Sequence, residues 1–231
     1  MNGLLVIDKP GGMTSRDAVN RVQRWFPRKT KIGHTGTLDP LATGVLVVCV
    51  GLATRLAGYV QAMSKSYSSR FRLGATSDTD DADGAVVEVA TATPPAREEI
   101  DTALGRFVGS IEQLPPAVSA LKVDGRRAHD LVRKGQEVAL APRPVRIDAV
   151  RVRRYEWPWL DVEVDCGKGT YIRSIARDLG AALGCGGMVQ ALRRTRVGPF
   201  LAEQGTGVDA PDPAGVTLLP MTTAVAGMEQ L

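Results

Sequence analysis

The chain has 231 residues, of which 44% are hydrophobic, and a formal net charge of +4 at pH 7. This length and composition can bury a sizeable core, which excludes intrinsic disorder and favours one elaborated domain or one domain with a small appendage. No run approaches the roughly 20 apolar residues that a membrane span needs. The first apolar run is too short for a signal peptide and is interrupted by Asp8 and Lys9.

The distribution of cysteine and charge further limits the classes of protein to which the chain can belong. Cys49, Cys166 and Cys185 lie far apart, and none has the paired spacing of a zinc or redox motif. We therefore expect a reducing cytoplasm and no structural metal. Residues 201–231 contain four acidic residues and no lysine or arginine, so the rest of the chain is more basic than the net charge suggests. A basic body suits a polyanionic partner, although many basic proteins bind no nucleic acid.

In the first half of the chain, residues 3–7 are typical of a buried strand that ends at a Lys-Pro-Gly-Gly loop. A helix is expected to begin near Ser15, with Thr14 or Ser15 as its cap, and to stop at Pro27. Residues 28–44 have no clean period and indicate a long loop. Periodicity then predicts a strand at 45–50 buried on both faces, a helix at 54–63 and a half-buried strand at 67–73. An acidic turn at 76–84 and a strand at 86–89 follow. The next helix is expected after Pro94-Pro95, with Ile100, Leu104, Phe107 and Val108 on one face.

The second half begins with an irregular stretch, about 114–143, which we interpret as an insertion. Two alternating strands follow at 145–153 and 160–166, then a GKGT turn and a helix from about Tyr171 to Leu183. A final pair of strands is expected at 186–194 and 197–201. Because strands and helices intermix without a regular βαβ repeat, the pattern favours an α+β fold with a mixed or antiparallel sheet.

The loop IGHTGTLDPLATGVL (Ile32 to Leu46) places one carboxylate, Asp39, immediately before a buried strand. An acid in this position lies at the mouth of a core and not on a solvated face. Spacing alone also allows a simpler interpretation, in which Asp39 caps the turn before Pro40.

Six segments, in this order, resemble the TruB family of tRNA pseudouridine-55 synthases over about residues 3–200. The loop above resembles the Gly-x-Leu-Asp signature of pseudouridine synthases in general. The segments are GLLVIDKPGGMTS, GHTGTLDPLATGVL, KSYSSRFRLG, DTDDADG, SALKVDGRRAHDLVRKG and KGTYIRSIARDLG.

The resemblance implies a pseudouridine synthase fold and isomerisation of the T-loop uridine of tRNA (position 55). One glycosidic bond is exchanged for another, so the resemblance implies no metal and no redox or other cofactor. Asp39 matches the catalytic carboxylate; attack on C6 of the base, attack on C1′ and deprotonation of the sugar all stay open. Tyr67 matches the active-site tyrosine, and Arg173 the arginine that pairs with the aspartate and keeps it ionised.

Three more positions match residues around the target base. Tyr171 and Leu192 correspond to the walls of the uracil pocket, and His34 to a histidine that contacts RNA where the base leaves its stack. Without the resemblance, Tyr67 and Leu192 would be interpreted as core residues. His34 would be a turn residue and Arg173 a solvated one.

Two nucleotide or metal motifs are excluded. The DTDDADG turn lacks calcium-loop ligands, because Thr79 and Ala90 occupy ligand positions when Gly84 is aligned with the loop glycine. The Gly11-Gly12 loop lacks the Gly-Lys-Ser/Thr ending of a P-loop. We interpret DTDDADG as a structural turn, and Lys9 with Pro10 as shaping the active-site floor.

Basic residues form three clusters that suit phosphate contacts, although any one of them could be merely solubilising. The middle cluster lies in the insertion, which resembles the RNA-binding thumb of the family. The clusters are Arg28, Lys29 and Lys31; Lys122, Arg126, Arg127, Arg133 and Lys134; and Arg193, Arg194 and Arg196.

Many family members continue into a PUA-type RNA-binding domain, and the acidic tail at 201–231 is too short for one. We expect residues 1–200 to form the catalytic domain, with 216–221 as a possible final strand. The favoured hypothesis is a cofactor-free monomeric enzyme that acts on tRNA. The alternatives are an RNA-binding or tRNA-folding protein with secondary catalysis, and a sister synthase that acts on rRNA or is guided by a small RNA.

Overall fold

The computed structural model describes residues 1–91, 93–119, 121–123, 126–127, 140–209 and 216–225. Two compact units divide the chain: unit 1 is Met1–Tyr67 with Arg193–Leu231, and unit 2 is Ser68–Leu192. The described strands are β1 Gly3–Lys9, β2 Ile32–His34, β3 Thr43–Val50, β4 Lys65–Leu73, β5 Ala75–Ser77, β6 Val86–Glu88, β7 Gly109–Gln113, β8 Lys122–Val123, β9 Arg126–Arg127, β10 Arg143–Glu156, β11 Trp159–Cys166, β12 Gly187–Val197, β13 Phe200–Leu201 and β14 Thr206–Gly207.

The α-helices that the structure describes have six to eleven residues. The α-helices are α1 Ser15–Val22, α2 Ala57–Ala62, α3 Arg97–Gly105 and α4 Ile172–Ala182. Short 3₁₀ segments lie at Gln23–Trp25, Gly51–Leu56, Ala202–Gln204 and Met221–Val225.

Unit 1 is built on the antiparallel pair β1 and β3, which run side by side from Gly3 opposite Val50 to Lys9 opposite Gly44. The parallel strand β14 extends this pair beyond β1, and the first residues of β12 in this unit pair in parallel with β3. Parallel and antiparallel pairs therefore occur in one sheet, as the mixed pattern of the sequence predicted.

Both faces of the β1–β3 pair are covered within unit 1. Val45, Val47 and Cys49 pack on one side with Phe200, and alternate residues such as Leu46 pack on the other side with α1. A strand covered on both faces consists of continuous apolar residues, because successive side chains point to opposite sides. The predicted burial of residues 45–50 on both faces is confirmed.

Helix α1 begins as its sequence predicts. Thr14 is the N-cap, its hydroxyl accepts the backbone N–H of Asp17, and the Asp17 carboxylate accepts the Thr14 N–H. This reciprocal capping box satisfies two of the free N–H groups at the helix start. Hydrogen bonding from Thr14 lowers the pKa of Asp17. The helix buries Ala18, Val19 and Val22 on a single face.

Unit 2 contains a sheet in the order β12, β4, β11, β10 and β7, with β10 antiparallel to both β11 and β7. On β4 the odd-numbered residues from Lys65 to Leu73 are buried, which confirms the alternating pattern predicted for this strand. Helices α3 and α4 pack against each other, and α3 also packs on β10. The α+β class is confirmed.

Several local predictions differ from the structure. Helix α3 ends at Gly105, so Phe107 and Val108 follow it and do not continue its buried face. Strand β7, Gly109–Gln113, lies between the predicted helix and the predicted insertion and was not predicted. Residues 216–221 form no strand: Leu219 makes one isolated bridge to Leu4 before a 3₁₀ segment. Of the insertion at about 114–143, a large part lies outside the described residues, and β8 pairs with β9 within it.

Candidate active site

Asp39 lies in unit 1, on the loop between β2 and β3, and its side chain is half-buried. The loop begins where Thr35 donates its backbone N–H to the Val47 carbonyl at 3.0 Å. A turn closes over Pro40, because the Ala42 N–H donates to the Asp39 carbonyl at 3.1 Å. The backbone around the carboxylate is therefore ordered by its own strands on both sides.

Ser15 holds the residue before Asp39. Its hydroxyl donates to the Leu38 carbonyl at 3.0 Å and accepts the Leu38 N–H at 2.8 Å. Ser15 is the first residue of α1 and is 2% exposed. One buried hydroxyl thus satisfies both backbone groups of Leu38, which would otherwise be left without partners away from water.

Lys9 holds the residue after Asp39. Its ammonium is fully buried and donates to the carbonyls of Pro10, Met13 and Pro40 at 2.8, 2.7 and 3.3 Å. The Gly12 N–H also donates to the Pro40 carbonyl at 2.9 Å. These contacts hold the residue after Asp39 in place, and the interpretation that Lys9 with Pro10 shapes the active-site floor stays a prediction.

Arg194 holds the first part of the loop from β12. Its guanidinium donates to the carbonyls of Val45 at 2.7 Å, Gly36 at 3.1 Å and Thr37 at 3.5 Å, and the residue is 3% exposed. A planar guanidinium presents five donors in a fixed fork, so it can join separate carbonyls as a rigid spacer. The loop is therefore clamped to the strand that follows it.

The approach of β12 depends on Gly44, which has a φ of +97° and pairs in parallel with Arg194. A Cβ atom at this position would lie 2.2 Å from the Arg194 carbonyl oxygen. Only glycine permits both this backbone conformation and this contact. The glycine in the ATGVL segment thus has a structural function next to the loop.

The other two candidate residues of unit 1 lie on strands. His34 is the last residue of β2, is half-buried and stands opposite Val48 of β3. Tyr67 lies on the buried face of β4 and is 9% exposed. The residue before Tyr67 is held in place, because Ser66 accepts hydrogen bonds from Arg196 to its hydroxyl and from Thr195 to its carbonyl.

Unit 2 contains the other three candidates, and Arg173 is the most constrained of them. It lies in the first turn of α4 and is 3% exposed. Its guanidinium donates to the carbonyls of Thr79 at 2.6 Å and Val118 at 3.0 Å, and its Nε lies 3.4 Å from the Asp81 carboxylate. These partners come from the acidic turn and from the segment after β7. Arg173 is therefore an oriented, buried residue and not a solvated one.

Asp81 is a functional candidate that the sequence interpretation missed, since DTDDADG was taken as a structural turn only. It is 3% exposed and also accepts the Thr79 hydroxyl at 2.6 Å and the Asp83 N–H at 3.1 Å. A buried carboxylate beside a buried guanidinium compensates its charge. The signal in the sequence was one acidic residue within a run of acids, which does not show which of them is buried.

The neighbouring acid of this turn has a different partner. Asp80 pairs with Arg177 of α4 at 2.9 Å, and Arg177 also pairs with Asp178 at 2.8 Å. Burial raises the pKa of Asp80 above its usual value, and the Arg177 charge opposes that rise. The acidic turn is thus attached to α4 at two successive arginine positions.

Tyr171 is the N-cap residue of α4, and Gln113 of β7 fixes its backbone. The Gln113 side chain accepts the Tyr171 N–H at 2.8 Å and donates to the Tyr171 carbonyl at 3.1 Å. Leu192 lies on β12 and is 8% exposed. Its neighbour Ala191 accepts the Ser69 hydroxyl of β4 at 2.8 Å.

The third basic cluster of the sequence analysis needs correction. Arg194 was grouped with residues that suit phosphate contacts, but its guanidinium is buried on backbone carbonyls. Arg193 pairs with Asp8 through two bonds of 2.9 Å, and Arg196 donates to Ser66. The donors of this cluster are therefore mainly bonded to groups of the protein itself.

In the part of the chain that the structure describes, no group of three or more His, Cys, Asp or Glu side chains is placed to hold a metal ion. None of the helices described is both long enough and apolar enough to cross a membrane.

Comparison with solved structures identifies the class of this fold. A chain of a crystallised Cbf5–Nop10–Gar1 complex matches 96% of this chain with a TM-score of 0.72 and 28% identity, and this chain covers 61% of that one. A chain of an H/ACA RNP bound to a substrate RNA containing 2′-deoxyuridine matches with a TM-score of 0.69 and 26% identity, with 96% of this chain and 60% of that chain covered. Together with the Asp39 loop, these matches define a pseudouridine synthase fold.

Sequence relatives identify the family. A protein named tRNA pseudouridine synthase B from Mycobacterium avium (strain 104) is 54% identical over 211 residues, which are 90% of this chain and 68% of the relative. The protein of the same name from Mycobacterium tuberculosis (strain CDC 1551 / Oshkosh) is 51% identical, with 90% and 70% covered. Residues 24–172 match the N-terminal domain of TruB family pseudouridylate synthases, and residues 173–210 match the tRNA pseudouridylate synthase B C-terminal domain. The chain belongs to the TruB family and is a pseudouridine synthase.

Proposed function

We propose that this enzyme converts the T-loop uridine of tRNA to pseudouridine. The observation that carries the proposal is the Asp39 loop, whose backbone is held by the buried side chains of Ser15, Lys9 and Arg194. An enzyme gains rate by holding its reactive group in one geometry, because the ordering cost is then met during folding and not during the reaction. The names of the mycobacterial relatives support tRNA as the substrate.

The reaction is an isomerisation, so its atoms balance without a co-reactant. The N1–C1′ bond breaks, the uracil turns while bound, and a C5–C1′ bond forms. C5 loses its proton and N1 gains one. The site must therefore supply a carboxylate, exclude water and hold the detached ring.

Within this proposal Asp39 is the nucleophile. Arg173 has the role that the family resemblance predicts, which is to keep the carboxylate of Asp39 ionised; this pairing stays a prediction. A guanidinium favours the charged form of a carboxylate nearby. The bonds from Arg173 to Thr79 and Val118 and its pairing with Asp81 support a fixed orientation for the guanidinium.

The remaining candidates are proposed to bind the nucleotide. Tyr67 stacks on the target uracil, and Tyr171 and Leu192 line the pocket for it. His34 contacts the RNA where the base leaves its stack, since an enzyme that acts on a base must first extrude it. The tight placement of Tyr171 by Gln113 supports a fixed pocket wall.

The test is an assay of pseudouridine in an unmodified tRNA transcript, mapped by chemical modification and primer extension. We expect product at the T-loop uridine with the wild-type enzyme and none with Asp39→Asn. The matched control is Asp209→Asn, which removes an exposed carboxylate that pairs with Arg21 and should leave the rate unchanged. Product formation by Asp39→Asn at the wild-type rate would exclude the proposed nucleophile.

We further propose that the enzyme works as a monomer in the cytoplasm without a cofactor. Its three cysteines are buried and free, which suits a reducing compartment. Light scattering after gel filtration should give the mass of a single chain, 24.6 kDa. A mass of twice that value at micromolar concentration would contradict the monomer.

A further inference from the structure

The structure separates exposed arginines into two groups by their partners. On strand β10 of unit 2, Arg151 pairs with Asp165 at 2.7 Å and Arg153 pairs with Glu163 at 2.5 Å. Arg154 pairs with Glu156 on the same strand. Their positive charges are exposed but are already neutralised by carboxylates of the protein.

A second group of exposed cations lies in unit 1, and we call it the basic strip. None of its members forms an ion pair with another of the residues that the structure describes. Two acids of unit 1 have other partners, since Asp17 completes the cap of α1 and Asp209 pairs with Arg21. The basic strip consists of Arg16, Arg24, Arg28, Lys29 and Lys31.

The strip follows a continuous path along the chain. Arg16 lies in α1 and Arg24 in the 3₁₀ segment that follows it, about 12 Å further along the helical axis. Both arginines are exposed, whereas the buried face of α1 carries Ala18, Val19 and Val22. Arg28 and Lys29 then occupy a turn closed by the Thr30 N–H and the Pro27 carbonyl at 2.8 Å.

One end of the strip is attached to the loop of Asp39, and the other end lies beside the far end of β3. Arg16 directly follows Ser15, whose hydroxyl bonds both backbone groups of Leu38. At the other end, Lys31 precedes β2, and its carbonyl accepts the Gly51 N–H at 2.7 Å. Within unit 1 the strip therefore begins beside the loop of Asp39 and leads away from it, toward the end of β3 that Gly51 follows.

We propose that the basic strip binds backbone phosphates of the tRNA along the stretch that leads away from the target uridine. Cations without a carboxylate partner release counterions from RNA when they bind it, whereas arginines already paired on the protein do so far less. The sign of the charge, its exposure and its position beside the loop all suit the sugar–phosphate backbone. This inference rests on the proposed function, because it takes tRNA as the substrate.

The test compares two triple variants of the full chain that remove the same charge. The strip variant is Arg16→Gln, Arg24→Gln and Arg28→Gln, and the control variant is Arg151→Gln, Arg153→Gln and Arg154→Gln. Dissociation constants for an unmodified tRNA transcript are measured between 50 and 200 mM KCl. Thermal melts confirm that both variants are folded.

Each phosphate contact contributes about 0.7 to 0.9 to the slope of log affinity against log salt, so the strip variant should lose about 2.1–2.7 of slope. Over this fourfold range of salt, wild-type affinity should consequently fall roughly 20- to 40-fold more than that of the strip variant. The control variant should keep the wild-type slope. A double variant, Arg24→Gln with Arg28→Gln, should lose about 1.4–1.8 and serves if the triple variant is unstable.

Equal slopes for the strip and control variants would overturn the inference, and so would a slope lost only in the control. Pseudouridine formation by the wild-type protein is measured on the same transcript. If tRNA binds but no pseudouridine forms, the proposed function fails. The slopes of the strip and control variants still show whether the basic strip binds tRNA. If pseudouridine forms and the slopes are equal, the strip alone fails.

Discussion

Replacing Arg194 tests whether a buried guanidinium holds the loop of Asp39. The change is Arg194→Lys, which keeps the charge but removes the fork of donors. An ammonium carries its three donors on one nitrogen, so it cannot replace both Nε and Nη2 of Arg194, which donate to the carbonyls of Val45 and Gly36 at 2.7 and 3.1 Å. One of these carbonyls should be left unsatisfied in the variant.

The expected magnitude follows from that one bond. A hydrogen bond from a charged donor is worth about 1.5–3 kcal/mol, so Arg194→Lys should lower the free energy of unfolding by that amount. For a chain of this size the melting temperature should fall by roughly 3–12 °C. The bond to Thr37 at 3.5 Å is long and adds little.

Activity should fall as well, because displacement of a reactive group by about 1 Å can cost on the order of a hundredfold in rate. We expect kcat for pseudouridine formation to drop about 10- to 100-fold, while the affinity for tRNA and its salt dependence stay at wild-type values. The control is Arg193→Lys on the same strand, where the side chain is 40% exposed and pairs with Asp8. Its effect on stability should stay below about 1 kcal/mol.

The contrary result is equally specific. If Arg194 were a phosphate contact, Arg194→Gln would lower the salt dependence of tRNA binding and leave the melting temperature unchanged. That outcome would refute the inference that Arg194 holds the loop of Asp39. A wild-type kcat in Arg194→Lys would refute it as well.

Three further outcomes are expected. Ser15→Ala leaves both backbone groups of Leu38 without partners, so the free energy of unfolding measured in urea should fall by about 2 kcal/mol or more, and an unchanged midpoint would be contrary. Asp81→Asn removes the anionic partner of Arg173, and kcat should fall about tenfold, the equivalent of one charged interaction of roughly 1.4 kcal/mol. Burial raises the pKa of Cys49 to about 11, so its thiol stays protonated at pH 8. A disulfide reagent should react with none of the three buried thiols in the native protein and with all three after denaturation. A thiol that reacts in the native state would contradict this expectation.

The sequence predicted those parts of the fold that depend on local interactions. Thr14, one of the two predicted caps, is the N-cap of α1, and the apolar run after Thr43 forms the strand buried on both faces. These signals are strong because a cap or a period involves residues only a few positions apart. The order of strands does not follow from such local signals, because β3 pairs with β12, which lies about 150 residues further along the chain.

The candidate site shows the same division. Asp39 was selected by the resemblance of its loop to the Gly-x-Leu-Asp signature, because spacing alone also allowed a turn cap before Pro40. The residues that hold its loop are not visible in this way, since Ser15 and Lys9 resemble any serine or lysine until their burial is known. Asp81 was missed for the same reason: in a run of acids, sequence does not indicate which carboxylate is buried.

Basic residues show most clearly what the structure adds, because sequence records their charge but not whether that charge is available. Arg194 and Arg24 are equivalent in the net charge of the chain, yet one is buried on backbone carbonyls and the other is exposed without an ion pair to any residue described. Neutralising either one removes a single positive charge, so a mean-charge model predicts the same loss of salt dependence for both. The structure predicts a loss of slope for Arg24→Gln and a loss of kcat for Arg194→Gln. A comparison of the two variants therefore separates the effect of an arginine's position from the effect of its charge.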